Sequence, residues 1–162
     1  MQDTEEERRK NAIQYLTKAL RSPSTPIQFL ALYALSATDP SSKNRNEARI
    51  QLESAVKLRR KLMEQYDGYA SQITPETAIP YLVNILAHHK DYEKDLPELA
   101  TFSMYLQFFL TPICATTSQL SYIIEVCTEY SFLDDVDEEY TDNNKELFNR
   151  AITIVKELGH GK

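Results

Sequence analysis

Residues 24–40 read STPIQFLALYALSATDP. Ser24 and Thr25 offer a helix cap and Pro26 a first-turn proline, whose missing amide proton is not needed before intrahelical bonding begins. Ile27, Leu30, Ala31, Ala34 and Leu35 then recur at helical spacing. Asp39-Pro40 closes the segment, because the residue before a proline is pushed out of the helical region. A helix with marked start and stop is therefore predicted here, and the same pattern repeats on both sides of it.

Upstream, a helix is predicted from Thr4 to Arg21. Glu5, Glu6 and Glu7 in its first turn and Lys18 and Arg21 in its last match the helix dipole, and its buried stripe is Ile13, Leu16, Ala19 and Leu20. Downstream, Lys43 to Tyr66 carries a stripe at Ala48, Leu52, Ala55, Leu62 and Tyr66, and Gly68 stops it. Thr74-Pro75-Glu76 opens a fourth helix. Pro80, one turn inside, removes a donor and predicts a bend or a loosened first turn. Ile79, Leu82, Val83, Ile85 and Leu86 leave that helix little polar surface, so it is expected to be the most buried. Asp95 and Pro97 start a fifth helix that Pro112 ends, and Thr117-Ser118 starts a sixth through Tyr130. Asp142 caps a seventh with Leu147, Phe148, Ala151, Ile152, Val155 and Leu158 on its stripe and Gly159 as its C-terminal cap.

Composition narrows the class. The chain has 162 residues and only three glycines, too few for the turns of a multi-strand sheet or a phosphate-cradling loop. Seven helices joined by short polar turns, without a strand pattern, place it in the all-α class. The expected architecture is an α-α superhelix of the HEAT/armadillo-like solenoid type, one segment over residues 1–162 with a leading helix 4–21 and helix pairs 25–66, 74–111 and 117–158. The net charge of −6 gives no general attraction to nucleic acid or anionic lipid, so neither a membrane nor direct sequence-specific DNA binding is expected. Cys114 and Cys127 stand alone in apolar surroundings, which fits a reducing compartment better than a disulfide or zinc framework.

No nucleophile elbow, phosphate loop or metal motif is present, so no catalytic, cofactor-binding or metal site is assigned and the chain is read as a non-enzyme. His88 and His89, near Asp91 and Glu93, point to different sides of a helix and are read as a polar helix end. Charge is unevenly spread: Lys43 to Lys61 holds seven basic and two acidic residues, Asp91 to Glu146 thirteen acidic and two basic. The basic helix is either a solvated face or a dock for an acidic peptide or phosphate-bearing ligand. Arg59 falls on the apolar seam of its helix, where it lays its stem along the seam, pairs with a carboxylate of the next helix or meets a ligand; Arg60 is expected to point outward. Arg59 and Arg60 are thus the candidate partner-binding residues. The acidic run Asp134 to Glu139 reads as a solvated loop, with Tyr130, Phe132 and Tyr140 beside it as possible anchors.

From Leu30 to Leu158 the chain resembles the precocious-dissociation-of-sisters family of sister chromatid cohesion proteins, cohesin-associated HEAT-repeat regulators. Three stretches carry the likeness: Ala31 to Pro40, followed by Arg45, Ala48 and Arg49; Leu58-Arg59-Arg60; and Pro75-Glu76, Ile79-Pro80-Tyr81, Ile85-Leu86-Ala87-His88 and Asp91-Tyr92. Asn143 to Phe148 resembles the family's last matched helix. Where the family turns on His-Asp-Pro, this chain has His88-His89-Lys90-Asp91. Family members are far longer, so the chain is expected to be a fragment of the late HEAT repeats. The resemblance implies a scaffold in sister chromatid cohesion and cohesin release, nuclear and chromatin-associated through its partners, which are cohesin subunits and release or acetylation factors. It also implies an inositol-phosphate ligand, whose contacts it does not assign. Read from the residues alone, the same features suit a HEAT-repeat adaptor in nuclear transport or vesicle trafficking.

Overall fold

The computed structural model describes residues 4–65, 74–89, 96–115, 120–131 and 138–160. Its elements are α1 (Thr4–Leu20), the 3₁₀ helix η1 (Ile27–Thr38), α2 (Ser42–Gln65), the 3₁₀ turn η2 (Pro75–Ala78), α3 (Ile79–Ala87), α4 (Leu96–Ala115), α5 (Leu120–Ser131), the 3₁₀ turn η3 (Glu138–Tyr140) and α6 (Thr141–His160). The fold is all-α and of the HEAT-like superhelical class, with no strand among the described residues. No described helix is long and apolar enough to cross a membrane. Tyr66, Gly68, Asp91, Glu93, Asp95, Thr117, Ser118, Phe132 and Asp134 to Asp137 lie outside the described residues.

The central element departs from the expected α-helix. η1 is 3₁₀ over all twelve of its residues. In that winding residues i and i+3 eclipse one another, so side chains fall on three straight rows. Two rows are buried: Ile27, Leu30 and Tyr33 on one, Ala31, Ala34 and Ala37 on the other. The third row begins Phe29, Leu32, Leu35. Leu35, which α-helical spacing assigned to the core, is 41% exposed, and Tyr33, which that spacing omitted, is buried. Because 3₁₀ runs beyond a few residues are uncommon, η1 owes its length to its surroundings: it packs against α1, α2, η2, α3 and α4. Pro26 takes the cap position without a side-chain cap, and Thr25 instead donates its hydroxyl back to the carbonyl of Ala19 at the end of α1.

α1 runs antiparallel to η1. Thr17 donates its hydroxyl to the Ile13 carbonyl, so the 2.8 Å contact between Thr17 and Tyr33 must be donated by the phenol. Burial raises the Tyr33 pKa above the ordinary phenol value. Ile13 and Leu20 are buried as expected, while Ala19 faces solvent. At the far end of η1, Asp39 is buried and accepts the Ser41 amide at 2.8 Å, closing an Asx turn. The Ser41 hydroxyl accepts the Asn44 amide at 3.3 Å and so caps α2. Asn44 in turn donates to the Glu6 carbonyl at 3.2 Å, joining α2 to the first turn of α1.

α2 buries Ala48, Leu52, Ala55 and Val56. Around Pro80 the expected loosened start is present: η2 winds as 3₁₀ before α3 begins, and the proline falls where α3 needs no donor. Ile79, Leu82, Val83, Leu86 and Ala87 of α3 are fully buried. α4 continues through Pro112, against expectation. The proline stands one turn from the helix end, and burial of Ile113 and Cys114 beyond it offsets a penalty of about 3 kcal/mol.

α5 and α6 form the C-terminal hairpin. Gly159 lies within α6 and is not its cap; a Cβ there would stand 2.7 Å from Leu120 Cδ1, so the glycine leaves room for the end of that leucine side chain as it is placed. Asp142, expected as the cap, lies instead in the first turn of α6, which begins at Thr141. Cys114 and Cys127 are free thiols and both buried; burial pushes the Cys127 thiol up to about 12, with Cys114 adding to the effect.

Ala34 is fully enclosed on the small-residue row of η1. Ala34→Leu should destabilise the chain by about 1–3 kcal/mol through overpacking, read as a lowered midpoint in thermal denaturation followed by circular dichroism.

Candidate partner-binding surface

Arg59 and Arg60 are the residues on which the sequence places a partner surface, and the fold turns both inward. Arg59 is 2% exposed. Its Nη2 donates to the carbonyls of Thr25 at 2.7 Å and Ser22 at 3.2 Å, and its Nη1 to that of Pro23 at 3.4 Å. The guanidinium therefore caps the turn that carries the chain from α1 into η1. None of the roles expected for it, whether stem to water, carboxylate partner or ligand contact, is the one it fills. Burial lowers its pKa, and its Nε has no hydrogen-bond partner. Three carbonyl dipoles carry the charge in place of water.

Arg60 does not point outward. Its Nη2 lies 2.7 Å from Oε1 of Glu76, a buried carboxylate of η2, and donates at 3.2 Å to the Ile113 carbonyl in the last turn of α4. One side chain of α2 thus holds together η2 and the end of α4. The second oxygen of Glu76 is buried without a hydrogen-bond partner. A polyphosphorylated ligand needs several exposed cations that converge; here one guanidinium is enclosed and the other sits against a carboxylate, so the pair does not form such a cradle.

His88 and His89, at the end of α3, each meet an aromatic ring, the first exposed and the second half-buried. The His88 ring stacks on Tyr140 with centroids 4.0 Å apart, and the His89 ring meets Phe102 edge-on at 5.6 Å. Among the described residues no group of three or more His, Cys, Asp or Glu side chains is placed to hold a metal ion. Of the possible anchors beside the acidic segment, Tyr130 is exposed, whereas Tyr140 is covered in part by His88.

Sequence reasoning missed a groove between α1 and η1, about 340 Å³ in volume, lined by Ala12, Ile13, Leu16, Leu32 and Leu35 and ending at Arg9, Ser36 and Asp39. Arg9 Nε donates to Asp39 Oδ2 at 2.8 Å. The signal for it is the period of three in residues 27–38, which leaves an apolar row without a buried role.

Comparison with known proteins gives a consistent picture. The family model described as sister chromatid cohesion protein PDS5 matches residues 1–155. The chain is 31% identical over 114 residues to sister chromatid cohesion protein PDS5 homolog B of Gallus gallus and, to the same extent, to that of Homo sapiens. To homolog A-B of Xenopus laevis it is 32% identical over 102 residues. These alignments take in 67%, 67% and 60% of this chain and 8% of each relative, so the chain spans a small part of the proteins it matches.

The inward ties are open to test by unfolding in urea. Arg59→Met keeps the stem and removes the charge-assisted bonds to three carbonyls; it should lower stability by about 2 kcal/mol. Glu76→Leu leaves the Arg60 cation without its carboxylate and should cost about 3 kcal/mol, much of which Arg60→Met in the same chain should restore.

Proposed function

The chain belongs to the sister chromatid cohesion protein PDS5 family, and on that premise we propose that it is a non-catalytic section of a cohesion regulator. In this reading it is a helical scaffold that engages cohesin subunits and the factors of cohesin release or acetylation, in the nucleus and on chromatin through those partners. The observation that carries the reading is the family match across residues 1–155, nearly the whole chain. The matched relatives are each named for sister chromatid cohesion.

Physical features agree with association as the mechanism. Several side chains suited to chemistry have structural contacts: His88 and His89 with aromatic rings, the cysteines with the core, and Arg59 and Arg60 with carbonyls and a buried carboxylate. A net charge of −6 disfavours the phosphate backbone of DNA, so contact with chromatin runs through proteins. Stacked helices give an extended surface on which partner segments lie, with specificity from a few apolar anchors and matched charge.

Affinity purification of the tagged 162-residue chain from dividing cells, analysed by mass spectrometry, should recover cohesin subunits. Recovery of vesicle-coat or transport-receptor components in their place would overturn the proposal.

A further inference from the structure

We propose that the groove between α1 and η1 docks a partner-protein segment that carries aliphatic side chains next to a carboxylate. The proposal rests on the scaffold reading above and names the surface and the partner chemistry for it.

The first observation is the third row of η1. With two rows buried, a polar third row would be the ordinary solution, since that side meets water. It holds instead Phe29, 44% exposed, the half-buried Leu32, and Leu35, 41% exposed. A single exposed leucine means little. Leu32 and Leu35 of this row form one wall of a groove whose opposite wall is Ala12, Ile13 and Leu16, and together they make a continuous apolar surface. The volume of about 340 Å³ is at the lower end for ligand clefts, enough for the side chains of a short peptide. The phenol of Tyr33 is committed to Thr17, so the floor offers no polar contact there.

The second observation fixes the polarity of the occupant. At one end, Asp39 is surrounded: Oδ2 accepts from Arg9, Oδ1 from the Ser41 amide, and its carbonyl oxygen from Arg45. Both oxygens of the buried carboxylate are thus already engaged, so that end of the groove offers an occupant hydrogen-bond donors and no free acceptor from Asp39. The Arg9 side chain is 37% exposed and held by its Nε alone, so its terminal nitrogens are presented as a fork whose stem is already fixed. A fork held in place by a neighbour loses little freedom on meeting a carboxylate. An aliphatic segment followed by an acidic residue matches both walls and end; a basic segment would meet the Arg9 guanidinium.

The test is fluorescence anisotropy with the full 162-residue chain and a labelled synthetic peptide of three leucines followed by two aspartates, beside a twin carrying asparagines. The aspartate peptide should bind and the twin should bind roughly tenfold more weakly. Leu35→Asp, at a position already exposed, and Arg9→Gln should each weaken the aspartate peptide by roughly tenfold, whereas Lys57→Glu on the solvent side of α2 should leave it unchanged. Circular dichroism of each variant checks that the fold is kept. Equal binding of the two peptides, indifference to Arg9→Gln, or no saturation at millimolar concentration overturns the proposal. So does sedimentation as a dimer that Leu35→Asp breaks, which would give the groove to a second copy of the chain. If any of these occurs while cohesin subunits still co-purify, the groove proposal alone has failed and the scaffold reading stands.

Discussion

Arginine bonds to main-chain carbonyls at the two ends of η1 are the constraint on which the rest of the chain is arranged. At the entrance, Arg59 holds Ser22, Pro23 and Thr25; at the exit, Arg45 holds the carbonyl of Asp39 while Arg9 holds its side chain. A 3₁₀ run of twelve residues has poorer hydrogen-bond geometry than an α-helix of the same length and would not persist by its own bonding. Clamped at both ends and covered on two rows, it becomes a narrow rod against which α1, α2, η2, α3 and α4 all pack. Its row of three alanines lets those neighbours approach closely. The Asp-Pro pair that closes it also carries the Asx turn and the serine cap that launch α2.

Charge inside the fold follows the same economy of contacts. Arg59 and Arg60 are adjacent in sequence and about 100° apart around α2, so they reach different neighbours. One closes the turn before η1, and the other joins η2 to the last turn of α4. A buried ion pair such as Arg60 with Glu76 is often no more stabilising than apolar side chains of the same volume would be, and its value here lies in fixing which surfaces meet. The unpartnered Nε of Arg59 and Oε2 of Glu76 raise the cost of that arrangement.

Much of this was legible in the chain. The all-α class, the order of the helices, the loosened start at Pro80 and the stripes of α2 and α6 follow from proline placement and apolar spacing, which are local properties. The departures share one cause, the influence of neighbours that the local sequence does not describe. Residues 27–38 satisfy both a period of 3.6 and a period of three, and only packing from several sides selects the second. Arg59 was correctly placed on the seam, but its partners are carbonyls, which every residue has and no pattern marks. Arg60 sits on what would be an outer face until η2 and the end of α4 cover it. Pro112 and Gly159 look like helix punctuation, yet burial carries α4 past the one, and the other makes room for Leu120. The groove was invisible because its two walls are far apart in register and meet only once α1 folds back along η1.

The two sequestered sulfhydryls have a consequence for handling and for measurement. The thiolate is the species that reacts with alkylating and oxidising reagents, and with Cys127 pushed up to about 12 and enclosed beside Cys114, almost none is present in the closed chain at neutral pH. Modification must then wait for the C-terminal hairpin to part from α4, so its rate counts how often that happens. The chain carries its own gauge of breathing at one end, silent while the helices stay shut.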